Sequence, residues 1–295
     1  MDNSRIEKAI MEYSNTLNTE KDVKTVLESV KAKAEKNYNK ETLYKILNCI
    51  DITSLHTTDT EKSITEFTEK VNKLPDNYGD KAGVAAICVY PSMVKTVKET
   101  LKNDNVNIAA VSGGFPHSQT FMEVKVAETL LCINDGADEI DIVLSLGKFM
   151  NGDIEEAAEE INELKDCCKD KHLKVILESG AIKKYDELYK ASVLALEAGA
   201  DFIKTSTGKQ QPAATPEAAI IMCTAIKDFY EKRGEMRGFK AAGGISTAKD
   251  AVIYYTIVEQ ILGSQWLNNK YFRIGASSLA NDILTAIEGK EVAYF

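Results

Sequence analysis

"EAGADFIKTSTGK", residues 197–209, closes a helix, turns through Gly-Ala-Asp, enters a short apolar strand and ends in a Gly-containing turn, with Lys204 in the strand and Lys209 in the turn. Its first half is echoed by "DGADEID" at 135–141, and five residues past the glycine stands Lys204 in one segment and Asp141 in the other. Side chains alternate along a strand, so two strands that start alike turn Asp141 and Lys204 the same way, with Glu139 in register on one and Phe202 and Ser206 on the other. An acid and a lysine on a common inward face raise the question of how they are buried. A buried ammonium loses much of its solvation unless it is paired, or unless its pKa falls until it is neutral.

Outward from this stretch the same unit recurs. Apolar runs stand at "IDITSL" (50–55), "GVAAICVY" (83–90), "NIAAVS" (107–112), "DEIDIVLS" (138–145), "LKVILES" (173–179), "DFIKTS" (201–206), "GFKAAGG" (238–244) and "FRIGAS" (272–277), and most intervening segments, such as "EEAAEEINELKDCCKD", read as amphipathic helices. Strands alternating with helices imply a parallel sheet, and eight units over about 250 residues match a (β/α)8 TIM barrel. A doubly wound open sheet is the alternative, but no GxGxxG follows the first strand. Residues 1–45, rich in Lys, Glu and Asn with Ile6, Ile10, Val23, Leu27 and Val30 at helical spacings, read as an N-terminal extension of two or three helices. Residues 46–295 read as the barrel domain.

Composition narrows the classes of function. A chain of 295 residues, 44% hydrophobic, can bury a sizeable core, and a formal charge of −9 argues against broad contact with nucleic-acid phosphates. Cys49, Cys88, Cys132, Cys167, Cys168 and Cys223 include no CxxC pair and fall mostly in apolar elements, which fits free buried thiols in a reducing compartment. The first residues carry no secretory pattern, and no run of apolar residues is long enough to span a bilayer. The expectation is a soluble cytoplasmic protein.

Two lysines interrupt late strands, Lys204 in "DFIKTS" and Lys240 in "GFKAAGG". A lone strand lysine can as well be a surface residue on an edge strand, but a closed barrel has no edge. Two inward lysines are expected to depress each other's pKa while desolvation acts in the same direction, and bringing one from ~10.4 to neutrality takes about 3 to 4 units. Such an amine is a Schiff-base nucleophile. A second group of residues suits an anion: "TSTGK", "AAGGIST" and "GASS" each place Gly with Ser or Thr where a barrel strand gives way to its loop, the region this fold uses for phosphate. Any one of these alone is a tight strand–helix turn. His117 in "GGFPHSQ" is either a general acid or base or a turn residue, while His56 and His172, flanked by polar residues, show no metal-ligand spacing.

The blocks "DITSL", "AAICVYP", "GGFPH", "GADEIDIV", "KVILESG", "GADFIKTSTGK", "GFKAAGGI" and "FRIGASS", in this order over residues 50 to 280, resemble the deoxyribose-phosphate aldolase family. The resemblance implies a class I aldolase that reversibly cleaves 2-deoxy-D-ribose 5-phosphate into acetaldehyde and D-glyceraldehyde 3-phosphate, with no metal or organic cofactor. It further implies that Lys204 forms the imine, that Lys240 lowers the Lys204 pKa, and that Asp141 works with Lys240 and a water in proton transfer. Gly208, Lys209, Gly243, Gly244, Ser277 and Ser278 are the implied phosphate contacts; Asp51, Thr53 and Cys88 match positions near the substrate. Two departures stand out. Ala241 follows the second lysine where many members have Pro, and Tyr294 is penultimate where many members end in a tyrosine that assists proton transfer. The implied partner is a small phosphosugar, with no nucleic acid and no membrane, and a homo-oligomer is left open. The rivals are another phosphosugar enzyme on the same fold, an isomerase or a different Schiff-base aldolase, and a barrel that only binds sugar phosphate.

Overall fold

The computed structural model of the protein describes residues 4–13 and 19–295. Strands β1 (Ile50–Thr53), β2 (Ala86–Val89), β3 (Asn107–Val111), β4 (Glu139–Val143), β5 (His172–Ile176), β6 (Phe202–Lys204), β7 (Gly238–Ala242) and β8 (Phe272–Ala276) are all parallel and close into a barrel in chain order, β8 pairing with β1. Seven fall within the runs read from the sequence, and β5 begins one residue ahead of its run, at His172. Helices α1 (Ser4–Glu12), α2 (Glu20–Asn37) and α3 (Lys40–Leu47) precede β1. Between the strands follow α4 (Glu61–Asn72), α5 (Leu74–Tyr78), α6 (Val94–Thr100), α7 (Met122–Asn134), α8 (Leu146–Asn151), α9 (Ile154–Cys168), α10 (Tyr185–Glu197), α11 (Pro216–Arg233) and α12 (Ala248–Ile261), and α13 (Leu279–Glu288) follows β8.

The Gly-Ala-Asp echo has a structural cause. Gly136 and Gly199 both adopt positive φ, 109° and 101°, to turn the chain off a helix end into the next strand, a conformation that a Cβ disfavours. The alanine N–H then returns to the helix, Ala137 to Cys132 O and Ala200 to Ala195 O, each at 3.0 Å. The aspartate carboxylate accepts the N–H of the second residue of the preceding strand, Asp138 from Ile108 (3.1 Å) and Asp201 from Leu173 (2.8 Å). Both strands therefore start in the same phase, and Asp141 and Lys204 both project into the barrel.

Caps delimit the longer helices. Thr215 accepts from Ala218 N ahead of α11, with Pro216 at the first helical position and Gly234 left-handed after the last. The extension does not stand apart from the barrel: Val23, Leu27, Val30 and Ala34 of α2 are buried against α11 and α12, Leu43, Ile46 and Leu47 of α3 against α12 and α13, all within one continuous apolar cluster. Each fully buried Val or Leu there contributes roughly 1.5–3 kcal/mol. The part of the extension at residues 1–3 and 14–18 lies outside the described residues. All six cysteines are free, five of them buried. Among the described residues no helix is long and apolar enough to cross a membrane.

Candidate active site

Four strands in succession each place one charged side chain near the C-terminal half of the barrel interior: Asp141 on β4, Lys174 on β5, Lys204 on β6 and Lys240 on β7. Lys204 and Lys240 are direct register partners. Both donate to the same oxygen, Asp141 Oδ2, at 2.8 Å each, while Lys174 donates to Oδ1 at 2.7 Å. Beneath them Asp51 (β1), Glu139 (β4) and Arg273 (β8) complete the layer. Lys240 also meets Asp51 Oδ2 at 2.5 Å, Arg273 spans Asp51 Oδ1 (2.6 Å) and Glu139 Oε1 (2.7 Å), and Lys174 reaches Glu139 at 2.6 Å.

Counted over the described residues, this buried network holds four basic groups and three carboxylates. With every group ionised it carries one surplus positive charge; with one amine neutral it balances. The geometry selects which. Lys174 lies within 4 Å of three carboxylates, Asp51, Glu139 and Asp141; Lys240 and Arg273 each contact two; Lys204 contacts Asp141 alone and shares that oxygen with Lys240. Burial lowers the Lys204 pKa, the Asp141 charge opposes it, the nearby Lys240 ammonium adds to the lowering, and the outcome lies below the ordinary lysine value. Burial acts likewise on Lys240, but the Asp141 and Asp51 carboxylates more than offset it, and its pKa is raised. The expected mutual depression is thus corrected: it operates on Lys204 alone, because Lys240 has a carboxylate of its own in Asp51. Burial pushes the Asp141 carboxyl up, yet the pull of Lys174, Lys204 and Lys240 prevails and holds it well below the usual carboxylate range.

Above this floor opens a cavity of about 410 Å³. Lys204 is at its base; Thr53, Gly208, Lys209, Gly243, Gly244, Ser277 and Ser278 line it, so the implied phosphate residues from three separate loops share one mouth. Gly243, with φ 88°, comes so close to the β6 loop that a Cβ there would stand 2.7 Å from Ala213 Cβ and 3.1 Å from Gly208 Cα. Lys209 bridges the mouth, its Nζ donating to Leu55 O at 2.5 Å. Asp51 and Cys88 do not line the cavity. Asp51 belongs to the ion network, and Cys88 is buried in a small apolar cluster with Leu55, Ala86, Ala109 and Val111, flanked by Tyr90 and Phe115. His117 is exposed and outside the cavity, whereas His56 lines it. The Tyr294 hydroxyl donates to Lys70 O (2.7 Å) and accepts from Asn77 Nδ2 (3.0 Å), beside α4 and away from the cavity-lining residues. Ala241 lies within β7 opposite Ile274, where its side chain packs in the apolar layer outside the strands.

Sequence reading missed Lys174 and Arg273 in the floor, and Thr207 and Ser246 in the rim. Both rim residues stood in the quoted turns. Lys174 carried a signal too: like Lys204 it is a lysine inside an apolar run, "LKVILES".

The molecule is thus a closed (β/α)8 barrel whose cavity, rimmed by Gly and Ser, has at its base a buried lysine with a lowered pKa. The family model for DeoC/LacD family aldolases matches residues 45–282, and the chain belongs to that family; it is an aldolase, a lyase. Curated relatives include the deoxyribose-phosphate aldolases of Homo sapiens, 40% identical over 260 residues covering 84% of this chain and 81% of the human protein, and of Bos taurus, 39% identical with the same coverage. Among solved structures, "QR15, an Aldolase" superposes with a TM-score of 0.66 at 31% identity, covering 81% of this chain and 96% of that one. The deoxyribose phosphate aldolase of Aeropyrum pernix, solved as a tetramer, shares the fold with a TM-score of 0.66 at 24% identity, covering 88% and 97%.

Proposed function

We propose that this aldolase works through a Schiff base on Lys204 and reversibly cleaves 2-deoxy-D-ribose 5-phosphate into acetaldehyde and D-glyceraldehyde 3-phosphate, serving deoxyribose phosphate catabolism in the cytoplasm. The observation that carries this reading is the charge count around Asp141: the one amine short of counter-charge is also the one at the base of the cavity. The names of the curated relatives support the substrate.

In this mechanism the neutral Lys204 amine adds to the aldehyde carbon C1 of the open-chain sugar, and loss of water gives the imine. The C3 hydroxyl then gives up its proton, the C2–C3 bond breaks, and its electron pair passes into the imine, leaving an enamine on Lys204 as the three-carbon aldehyde phosphate departs. Protonation at C2 and hydrolysis release acetaldehyde and restore the amine. The imine nitrogen is the electron sink, so the cycle assigns no step to a metal or organic cofactor. Asp141, hydrogen-bonded to both Lys204 and Lys240, is the base through which protons pass, with Lys240 and a water as its partners. Phosphate is held at the rim by backbone N–H groups of Gly208, Gly243 and Gly244, the Ser277 and Ser278 hydroxyls, the Lys209 charge and the N-terminus of α13. Thr53 lines the same cavity, and Asp51 acts from outside it through its ion pair with Lys240, whereas Cys88 is given no part in the reaction.

Borohydride reduction in the presence of acetaldehyde tests the reading. Mass spectrometry is expected to find the reduced adduct on Lys204; no adduct, or one confined to Lys174 or Lys240, overturns it.

A further inference from the structure

We propose that Glu178 is a positioning residue of the cavity rim: its carboxylate holds Thr207, and through Thr207 it sets the backbone that faces the phosphate. The inference rests on the anion site of the proposed function and concerns a residue that does not itself line the cavity.

Glu178 stands two residues beyond β5, where the ladder with β6 is irregular. In a regular parallel ladder, alternate N–H groups of one strand meet carbonyls two residues apart on the next. Here Leu177 N–H donates to Lys204 O (2.9 Å) and Ser179 N–H to Thr205 O (2.8 Å), one residue apart, so Glu178 is the extra residue of a β-bulge. Its φ is 49°, in the left-handed region. Glycine enters that region without the steric cost that a Cβ brings. The chain nevertheless places a glutamate there, 3% exposed. Removing a carboxylate from water costs more again unless donors meet it. What offsets both costs is what the side chain reaches.

It reaches Thr207, three residues beyond β6. Thr207 Oγ1 donates to Glu178 Oε2 at 2.6 Å, and Thr207 N–H donates to Oε1 at 3.2 Å. Thr207 lines the cavity beside Gly208 and Lys209, and its hydroxyl oxygen accepts the Lys209 N–H at 3.0 Å. A hydroxyl has one proton and two acceptor sites. The proton is committed to Glu178 and one acceptor site to Lys209, so the turn is tied at residues 207 and 209. Between the ties Gly208, at φ 76°, gives its N–H to no protein acceptor among the described residues. An anion at the rim therefore meets no proton of the Thr207 hydroxyl. It meets a backbone donor that Glu178 holds still.

Titration with inorganic phosphate followed by NMR, turnover with and without the substrate phosphate, and borohydride trapping together test this. Glu178→Gly suits the backbone and removes the carboxylate, so its thermal midpoint is expected to change little while phosphate affinity falls about tenfold to a hundredfold. The ratio of kcat/KM for deoxyribose 5-phosphate to that for deoxyribose is expected to fall by a similar factor, mainly through KM. The pH profile of acetaldehyde trapping on Lys204 is expected to stay in place. Glu178→Gln, which keeps the size but turns one acceptor into a donor, retains one bond to Thr207 and is expected to lie between. Thr207→Val is expected to lose as much as Glu178→Gly, and the double variant no more than Thr207→Val alone, because Glu178 acts through Thr207. Phosphate affinity left intact in both Glu178 variants, or additive losses in the double variant, overturns the proposal. Absence of trapping in the unmodified protein counts against the imine alone, and the phosphate titrations still decide the role of Glu178.

Discussion

Lys125 and Lys204 are both almost removed from water, at 2% and 3% exposure, but the surroundings of each are different. Lys125, on the outer layer, has Glu160 and two serine hydroxyls within hydrogen-bond distance, and no other amine shares those bonds at Lys125's end of the carboxylate. Lys204, at the mouth of the barrel, has one carboxylate that two further lysines also hold. The first arrangement fixes a helix. The second leaves an amine with less reason to keep its proton, because the counter-charge is already divided. Burial of a lysine is therefore not itself a sign of chemistry; the ratio of opposite charges to amines is.

The sharpest way to break this contrast is to replace the two lysines in turn. Lys204→Arg, which stays protonated and forms no imine, is expected to reduce cleavage to the background rate with an unchanged circular dichroism spectrum. Measurable turnover by the purified variant would refute the imine. Removing the phosphate from the substrate comes next in size: kcat/KM for deoxyribose is expected to fall by about 10²–10³ relative to its 5-phosphate, since remote binding energy orients the reacting carbons. Equal values would dismiss the rim as an anion site.

Lys240→Leu sharpens the comparison further. It leaves three basic groups against three carboxylates, so the network is balanced with Lys204 protonated. The Lys204 pKa is expected to rise by about one unit, slowing imine formation at neutral pH about tenfold, with recovery as the pH is raised. Superimposable pH profiles of borohydride trapping for variant and unmodified protein would show that Lys240 does not act through its charge. In Lys125→Met, Glu160 keeps Lys148 at 3.1 Å and Ser145, so the loss in urea unfolding is expected to be about 1–3 kcal/mol, with the trapping profile unmoved. The smallest effect concerns acid. Burial raises and the surrounding cations lower the pKa values of Asp51, Glu139 and Asp141, and each ends below its ordinary value. Their contribution to stability is full above the unfolded carboxylate pKa of ~4 and is lost as pH falls through the depressed folded values, so Glu139→Gln is expected to narrow stability at neutral pH and flatten its acid limb.

The strands were legible because each is a short apolar run between helices, and the phase of β4 and β6 was legible because Gly136 and Gly199 start both strands with the same turn. The rim was legible for a similar local reason: close approach of backbone to an anion demands Gly, Ser and Thr at strand ends, whatever the rest of the chain does. Lys174 and Arg273 escaped notice because an isolated cation in an apolar run reads the same whether its carboxylate is inside the barrel or its head is in solvent.

Strand order, inward phase and the residue types at the mouth follow from the sequence alone, since each depends on spacings of a few residues. Which lysine has its pKa lowered depends on barrel closure. Asp51 and Arg273 are 222 residues apart, and Lys240 lies 99 residues beyond Asp141, yet all meet within 2.8 Å once β8 pairs with β1. A pKa is set by such distances, and alternation along a strand says which way a charge points but not how many opposite charges it meets.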